Sequence, residues 1–258
     1  MKKYKIGVIG GSGIYSLKKD VIFEQNYTGV AQGTEKYEFD TCEIYFLARH
    51  GVGHSILPSE IDYVRNIKVF SNIEVDFVVS FCTVGSLNSK FYPGLYIIPK
   101  NLIDMTHCRK GSSYVMVNKH VNIEPIFNKD LVGLFIGLFS NNDIPAVNDG
   151  VLTVIEGPRF ATEAEQRWYK LIGGDLLNMT QAQEIYLSHV FRIPFISLCH
   201  VTDLTSIVDK NHNIFSSDAL KIFNSNFDKI TKLLHSLTIY LKKHNINISY
   251  DNNKRTFV

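Results

Sequence analysis

The sequence predicts an α/β protein in which a central, mixed and twisted β-sheet is flanked by helices. Short apolar runs rich in β-branched and aromatic residues recur along the chain, and amphipathic segments with helical spacing lie between several of them. No repeat, low-complexity tract or linker divides the chain, and 258 residues with 45% hydrophobic content can fill one large core. We therefore expect a single domain over residues 1–258, with a polar, flexible tail from about residue 245.

Six apolar segments are predicted as strands because each is short and rich in Val, Ile or aromatic residues. They cover residues 5–9, 44–48, 77–82, 95–98, 151–155 and 195–201. Helical periodicity predicts helices over 131–139, 161–172 and 218–243. A further helix is predicted to begin at Ser59 as its N-cap, with Asp62 at its third position and Ile67 on its apolar face.

Composition and charge predict a soluble protein that acts on a small molecule. The net charge is +2 and no block of like charges occurs, which argues against a nucleic-acid partner or a membrane surface. Four cysteines without C-x-x-C spacing indicate free thiols in a reducing compartment: Cys42, Cys82, Cys108 and Cys199. No apolar run reaches about 18 residues and no signal peptide is visible, so we expect a cytoplasmic protein.

A glycine-rich loop follows the first predicted strand and is suited to holding an anion. Residues 11–16 read GSGIYS, so Ser16 stands where a dinucleotide fingerprint needs its third glycine, and a nicotinamide dehydrogenase is disfavoured. No Gly-Lys-Ser/Thr follows for a P-loop, and Ile14 replaces the last glycine of a nucleophile elbow. The remaining interpretations are a plain tight turn or backbone amides that, with the Ser12 hydroxyl, bind an anion.

Two more predicted strand ends carry groups suited to an oxyanion. Arg49 offers a planar fork for phosphate, and His50 adds a donor that changes protonation near neutral pH, although a solvated basic pair is the alternative. Cys82 and Thr83 lie at the end of another strand, before a glycine. Because ligands of open α/β sheets collect at the carboxyl ends of strands, we expect these groups to converge with Ser12.

An ordered set of motifs resembles the trimeric purine nucleoside phosphorylase family, from about residue 5 to the helix after residue 218. The motifs are GGSG at 10–13, RHG at 49–51, GSL at 85–87, IEGPRF at 155–160, LNMT at 177–180 with Glu184, and HVTD at 200–203. The segment HVNIEPIF at 120–127 resembles the methylthioadenosine phosphorylase branch. The resemblance implies a homotrimer that cleaves a purine nucleoside with inorganic phosphate as co-substrate and with no metal or organic cofactor.

The same resemblance assigns a phosphate site and a ribose contact. It implies that phosphate is surrounded by Ser12, Arg49, His50, Cys82, Thr83 and Thr180, and that Met179 lies against the ribose. This agrees with the chemistry, because an anionic nucleophile needs preorganised donors that hold it close to an oxocarbenium-like sugar.

At the base, Asp203 is the predicted catalytic acid, since a proton shared with N7 lowers the cost of expelling the purine. Its alternative role is a helix N-cap or turn residue. Phe160 would wall the purine and ribose, or else be a core aromatic residue. Glu184 would reach the base, or else be an ordinary carboxylate in the first turn of a helix. Leu204 and Thr205 complete the predicted nucleoside site.

Several positions depart from the family pattern and leave the substrate open. Thr205 replaces the second Asp of the adenine-specific Asp-x-Asp, Ala161 replaces a Ser, and Cys82 stands where Thr is frequent. Ser217 and Leu220 align with the 5′ pocket, which His120 of a neighbouring subunit would also reach. We expect 5′-methylthioadenosine as substrate; a 6-oxopurine nucleoside (inosine, guanosine or 5′-methylthioinosine) and a catalytically silent nucleoside-binding homologue are the alternatives. Three lone histidines are interpreted as surface or core residues: His54, His107 and His189.

Overall fold

The computed structural model describes residues 3–109, 120–210, 217–250 and 256–257. The strands are β1 Tyr4–Gly10, β2 Tyr27–Ala31, β3 Thr34–Glu38, β4 Cys42–Ala48, β5 Phe77–Ser86, β6 Tyr96–Ile98, β7 Asn101–Asp104, β8 His120–Val121, β9 Ala146–Asn148, β10 Val151–Val154, β11 Leu176–Asn178, β12 Phe195–Leu204 and β13 Thr256–Phe257. The helices are α1 Val21–Asn26, α2 Tyr63–Ile73, α3 Lys129–Asn141, α4 Glu163–Leu171, α5 Gln181–Val190 and α6 Ser217–Lys243. All six predicted strands and four predicted helices are present, with shifted ends.

Of the described strands, eleven form one large mixed sheet, which confirms the predicted fold class, while β8 and β13 pair with each other in a separate two-stranded sheet. The main path of the large sheet runs β2-β3-β4-β1-β5-β11-β10-β7, while β12 pairs with both β5 and β6, and β6 pairs with β9. The central pairs β1–β4, β1–β5 and β5–β12 are parallel, and β2, β3 and β11 add antiparallel pairs. The sheet therefore directs the carboxyl ends of β1, β4, β5 and β12 toward one edge.

Central strands are apolar on both faces because helices cover them. Val78 and Val79, which are adjacent on β5 and point to opposite faces of the sheet, are each 0% exposed. Helix α2 packs against α5, and α5 and α6 both pack against β12. This double burial explains why the strands appear in the sequence as continuous apolar runs rather than as alternating ones.

The start of α2 differs from the prediction. Asp62, not Ser59, is the N-cap, and its Oδ1 accepts a hydrogen bond of 2.9 Å from the backbone N–H of Arg65. The chain before Asp62 is held in turns, with the Tyr63 N–H bonded to the Ile61 carbonyl at 3.0 Å. The Asp62 carboxylate accepts a backbone N–H of the first helical turn, which Ser59 does not, so the helix begins directly after Asp62. The apolar face is as predicted, since Ile67 is 0% exposed.

Strand β5 is longer than predicted, which changes the setting of Cys82 and Thr83. The sequence placed these residues at a strand end, but the strand continues to Ser86 because β12 pairs with it as far as Leu204. The register shifts by one residue at a bulge between Val201 and Asp203, and the pairing continues beyond it. The two residues therefore lie within a paired strand rather than in a turn.

The described part of the tail is docked, which corrects the expectation that it frays. The Tyr4 hydroxyl donates to the Ile246 carbonyl at 2.9 Å and accepts from the Ile246 N–H at 2.7 Å. Farther along, the Asn128 side chain donates to the Ser249 carbonyl at 3.0 Å, and the Tyr250 hydroxyl lies 3.1 Å from Nδ1 of His189. Polar composition alone indicated a free segment, but these long-range partners hold residues 245–250 against the domain.

None of the helices within the described ranges is both long enough and apolar enough to cross a membrane. The longest, α6, is amphipathic, and one side of it contributes Ile230, Leu234 and Leu237 to the core.

Candidate active site

A cavity of about 550 Å³ opens at the edge where β1, β4, β5 and β12 end. Ser12, after β1, and Arg49, after β4, both line it. The two strands are paired in register, with Gly10 opposite Ala48, so their following loops begin side by side. The convergence of strand ends expected from the sequence is therefore present.

The glycine loop is shaped by the close approach of Arg49. A Cβ atom at Gly11 would lie 2.6 Å from Nη1 of Arg49 and 2.6 Å from the Phe81 carbonyl oxygen, so no larger residue fits without a shift. The Ile14 N–H closes the turn on the Gly11 carbonyl at 3.0 Å. The guanidinium therefore lies against Gly11, and the next residue, Ser12, lines the same cavity as Arg49.

Arg49 is buried and held in one orientation by a carboxylate. Its Nε donates to Oε1 of Glu184 at 2.6 Å and its Nη2 to Oε2 at 2.8 Å, while Nη1 donates to the Phe81 carbonyl at 2.9 Å. Nη2 also donates to Oγ of Ser80 at 2.5 Å. Burial opposes the charge, but the attraction of Glu184 outweighs it, so the pKa of Arg49 is raised above its usual value. These contacts leave one Nη1 hydrogen for a ligand next to Gly11.

His50 is a neutral acceptor rather than the titrating donor that the sequence suggested. Burial, followed by the charge of Arg49, lowers the pKa of His50 to about 4. Its Nδ1 lies 2.9 Å from the Ile56 carbonyl, to which only an N–H can donate, so Nε2 carries the free lone pair. The ring stacks on His54 at a centroid distance of 4.2 Å. His50 is therefore suited to accept a hydrogen bond from a hydroxyl group of a ligand.

The floor beside these groups is organised by one side chain, Asn178. Its Oδ1 accepts the N–H of Thr180 at 2.7 Å and that of Gln181 at 2.8 Å, and its Nδ2 donates to the Thr83 carbonyl at 3.2 Å. Thr180 is the N-cap of α5, so the positive end of that helix dipole faces the same part of the cavity. Cys82, Thr83 and Thr180 complete the anion-binding end.

Farther along β5, where Asp203 lies opposite Gly85, the cavity is lined by a carboxyl, a hydroxyl and an amide; this part is called the base end. Asp203 and Thr205 line it, and Thr202 Oγ1 donates to Asp203 Oδ1 at 2.7 Å. Thr205 is 5% exposed, and its Oγ1 has no hydrogen-bond partner among the described residues. Gln166, also in the lining, donates to the Ala161 carbonyl at 3.0 Å and accepts from Ser206 Oγ at 2.9 Å. This glutamine ties the two walls of the cavity together and keeps one amide hydrogen for a ligand.

Comparison with known proteins agrees with this arrangement. The profile of the phosphorylase superfamily matches residues 5–237. The chain belongs to the phosphorylase superfamily. An S-methyl-5′-thioadenosine phosphorylase of Thermofilum pendens is 31% identical over 246 residues, which cover 92% of this chain and 92% of that protein. A purine nucleoside phosphorylase of Streptomyces coelicolor is 28% identical, covering 90% and 87%. A crystal structure of a methylthioadenosine phosphorylase from an antarctic soil metagenomic library superposes with a TM-score of 0.83 at 27% identity, covering 95% and 88%.

Most of the predicted site residues line the cavity described above. Its lining includes Ser12, Arg49, His50, Cys82, Thr83, Phe160, Ala161, Met179, Thr180, Asp203 and Thr205. Phe160 is 58% exposed, so it lies at the mouth and is not the core aromatic residue of the alternative interpretation. Within the described residues, no group of three or more His, Cys, Asp or Glu side chains is placed to hold a metal ion.

Two predicted nucleoside contacts do not line this phosphorylase cavity. Glu184 is 2% exposed and is engaged with Arg49, so its place in the first turn of α5 fits the alternative interpretation rather than a base contact. Leu204 points away because side chains alternate along β12, where Asp203 faces the cavity. The side chains of His120, Ser217 and Leu220 lie outside the described part of the structure.

Sequence reasoning missed several residues of the site. His54, interpreted as a surface or core residue, lines the cavity, as do Gln166 and Asn178. Asn178 had a visible signal, because an Asn two residues before the N-cap residue can accept hydrogen bonds from the first N–H groups of the helix. Gln166 had none, since its partners come from two separate loops.

Arg109 is a positioning residue that the sequence did not indicate. Its side chain is 3% exposed, and its Nε forms an ion pair of 3.1 Å with Glu156. Nη2 donates to the carbonyls of Glu156 at 2.6 Å and Met179 at 2.9 Å. By binding these carbonyls, Arg109 holds Met179 in the cavity wall.

Proposed function

We propose that the protein catalyses phosphorolysis of a purine nucleoside, with 5′-methylthioadenosine as substrate and adenine and 5-methylthioribose 1-phosphate as products. The observation that carries this proposal is a single cavity that contains both Arg49, bound to the carbonyl of Phe81 on β5, and Asp203, which lies opposite Gly85 four residues farther along that strand. A nucleoside fits between them with its sugar next to the anion. The names of the two relatives and of the solved structure support the same reaction class.

The anion-binding end is assigned to inorganic phosphate. Ser12, the free Nη1 hydrogen of Arg49 and the N-terminus of α5 donate to phosphate oxygens, while Nε2 of His50 accepts from a phosphate hydroxyl. These donors are held in place before the ligand arrives, because Glu184 fixes Arg49 and Asn178 fixes Thr180. Preorganised donors lower the barrier, since they need not reorient as charge develops.

In the reaction, a phosphate oxygen forms a bond to C1′ while the bond from C1′ to N9 breaks. The electron pair of the broken bond moves into the purine, and Asp203 shares a proton with N7 to stabilise it. Met179 packs against the ribose and Phe160 closes the mouth of the cavity over it. Thus the nucleophile, the sugar and the leaving group lie in line across the site.

The experiment that tests this proposal is base release from 5′-methylthioadenosine with and without phosphate. We expect adenine to be released only with phosphate, and Asp203→Ala to lower kcat by about 100-fold or more, as for loss of a general acid. Asp209→Ala is the matched control, because Asp209 is absent from the cavity lining. Phosphate-independent release, or full turnover by Asp203→Ala, would contradict the proposal.

A second candidate substrate is a 6-oxopurine nucleoside, and the base end of the cavity supports it. A carboxylate can only accept from a 6-amino group, whereas the unpartnered Thr205 hydroxyl can donate to a 6-oxo group as well. The remaining amide hydrogen of Gln166 adds another donor. Turnover of 5′-methylthioadenosine and 5′-methylthioinosine measured side by side separates the two candidates.

The proposal also covers the setting of the reaction. The enzyme would need no metal or organic cofactor, would bind neither nucleic acid nor membrane, and would act in the cytoplasm as a homotrimer. His120, Ser217 and Leu220 would then shape the 5′ pocket, with His120 supplied by a neighbouring subunit. Light scattering of the purified protein tests the trimer.

A further inference from the structure

Two thiols face each other beneath the anion-binding end of the cavity. Cys82 on β5 and Cys199 on β12 are directly opposite in the parallel ladder, and their Sγ atoms lie 3.4 Å apart. Adjacent strands are about 4.8 Å apart, which falls within the Cα separations that disulfides span. Only a side-chain movement of about 1.4 Å separates this contact from a bonded distance of about 2.05 Å.

The two thiols differ in their access to solvent. Cys82 is 4% exposed and lines the cavity, whereas Cys199 is 0% exposed and lies behind it. A small reagent that enters the cavity therefore meets Cys82 first. The thiol next in reach of Cys82 is Cys199.

The surroundings favour reaction at Cys82. Of the two thiols, Cys82 alone lines the cavity, so a reagent that enters there oxidises Cys82 first. Cys199 remains a thiol, because burial raises its pKa well above the usual value. Ser197 Oγ lies 3.8 Å from Cys82 Sγ and 3.6 Å from Cys199 Sγ, so a hydroxyl is placed to exchange protons with both.

We propose that Cys82 and Cys199 form an oxidisable dithiol, converted to an intramolecular disulfide by a hydroperoxide that enters through the nucleoside cavity. The Cys82 sulfur attacks a peroxide oxygen and gives up its proton, an S–O bond forms, the O–O bond breaks, and the leaving oxygen takes that proton. Cys199 sulfur then attacks Cys82 sulfur, forming S–S and breaking S–O, and the departing hydroxide leaves as water with the Cys199 proton. The two thiols are oxidised and the hydroperoxide is reduced to an alcohol and water, or to two waters for hydrogen peroxide.

Disulfide formation alters the anion-binding end, because Cys82 Sγ moves away from the cavity floor toward Cys199. Disulfide formation also disturbs Ser197, whose hydroxyl donates to Oε1 of Gln181 at 2.6 Å. Gln181 in turn donates to Glu184 at 3.0 Å, so the disturbance reaches Glu184. Glu184 in turn orients Arg49. We therefore expect oxidation to raise the KM for phosphate about fivefold, the effect of losing one hydrogen bond, with a smaller change in kcat.

The test uses the folded protein carrying Cys108→Ser, which removes the exposed thiol. After treatment with hydrogen peroxide, the protein is unfolded, alkylated, digested and analysed by mass spectrometry. We expect a peptide that links Cys82 to Cys199, reversed by dithiothreitol, while Cys42 remains alkylated. Peptides in which both Cys82 and Cys199 are alkylated, or a link that forms only after unfolding, would overturn the proposal.

Variants separate the roles of the two thiols. In Cys199→Ser, we expect peroxide to oxidise Cys82 without forming the disulfide-linked peptide. Cys199→Ala replaces this variant if Cys199→Ser does not fold. One arm rests on the proposed function: saturating phosphate should slow the reaction by covering Cys82. A link that forms equally fast with phosphate leaves the dithiol in place and instead contradicts the phosphate site, so the two failures are distinguishable.

Discussion

At the scale of single residues, the site depends on side chains that never touch a substrate. Glu184 holds Arg49 through two hydrogen bonds, and Gln166 joins the two walls of the base end. Both are buried polar groups with hydrogen-bond partners, which is the condition under which buried polarity is tolerated. Removing one partner leaves the other without compensation.

Glu184→Ala should destabilise the protein strongly. The change leaves the Arg49 guanidinium buried and unpaired, and breaking a buried ion pair in this way costs about 3–5 kcal/mol. The free energy of unfolding in urea measures the effect. Glu163→Ala is the control, because its side chain is 57% exposed in its ion pair with Arg167 and should change stability by less than about 0.5 kcal/mol. Equal stability of the two variants would show that Glu184 does not pair with Arg49 as described.

Thr205→Asp should shift base preference toward 6-aminopurines. A carboxylate at this position accepts from an amino group but cannot donate to a 6-oxo group, so the ratio of kcat/KM for 5′-methylthioadenosine over 5′-methylthioinosine should rise about tenfold. Thr231→Val provides a matched change at a buried threonine on α6, outside the cavity lining, and should leave the ratio unchanged. An unchanged ratio in Thr205→Asp would remove Thr205 from base recognition.

At the scale of elements, the ends of strands and the start of one helix carry the chemistry. β1, β4 and β5 are parallel neighbours, so the groups that follow or end them share one edge of the sheet. Helix α5 begins at the same edge, and its first N–H groups are capped by Asn178 rather than by Thr180, the N-cap residue. The Thr180 hydroxyl therefore remains next to the cavity.

Asn178→Ala should reduce both stability and phosphate affinity. Loss of the cap costs about 1 kcal/mol and lets Thr180 move, so the KM for phosphate should rise while the base preference stays the same. Asn128→Ala is the matched control, because Asn128 caps α3 with the same chemistry at 2.9 and 3.1 Å, away from the cavity. It should lose stability without a change in phosphate KM. A similar KM for both variants would separate Asn178 from phosphate binding.

At the scale of the whole molecule, two buried histidines couple folding to pH. The pKa of His50 is lowered from 6.5 to about 4 by burial and by Arg49, and that of His200 from 6.5 to about 3 by burial and by Lys229. His200 is 0% exposed, stacks on Tyr96 at 4.6 Å, and neither ring nitrogen has a hydrogen-bond partner in the part of the chain that the structure describes. At a pH between 6.5 and the lowered pKa of each histidine, the unfolded chain binds a proton at that histidine and the folded protein does not.

The free energy of unfolding should therefore fall as the pH drops below 6.5 toward about 4. Each of the two histidines contributes a slope of up to about 1.4 kcal/mol per pH unit in that window. His200→Phe keeps a ring on Tyr96 but cannot take up a proton, so its slope between about pH 6 and 5 should be shallower. Urea denaturation at several pH values measures the slope. His244→Gln, at an exposed position, is the control, and a wild-type slope in His200→Phe would contradict the assignment.

The sequence by itself determined the alternation of strands and helices and the chemistry at each strand end. These features depend only on residues that are close in sequence. Local sequence shows the apolar runs, the glycines and the functional groups of Ser12, Arg49 and Asp203. Their ordered motifs also identified the family, because several separate segments had to match in the same chain.

Tertiary structure alone decided which distant side chains meet. Glu184, which the sequence placed either at the base or as an ordinary helix carboxylate, pairs with Arg49, 135 residues away, and Cys82 faces Cys199, 117 residues away. Such pairings depend on sheet register and on helix orientation, because a shift of one residue turns a side chain to the opposite face. Local propensity contains no information on these distances, and for this reason the partners of Arg49, Gln166 and Cys82 became visible only in the folded chain.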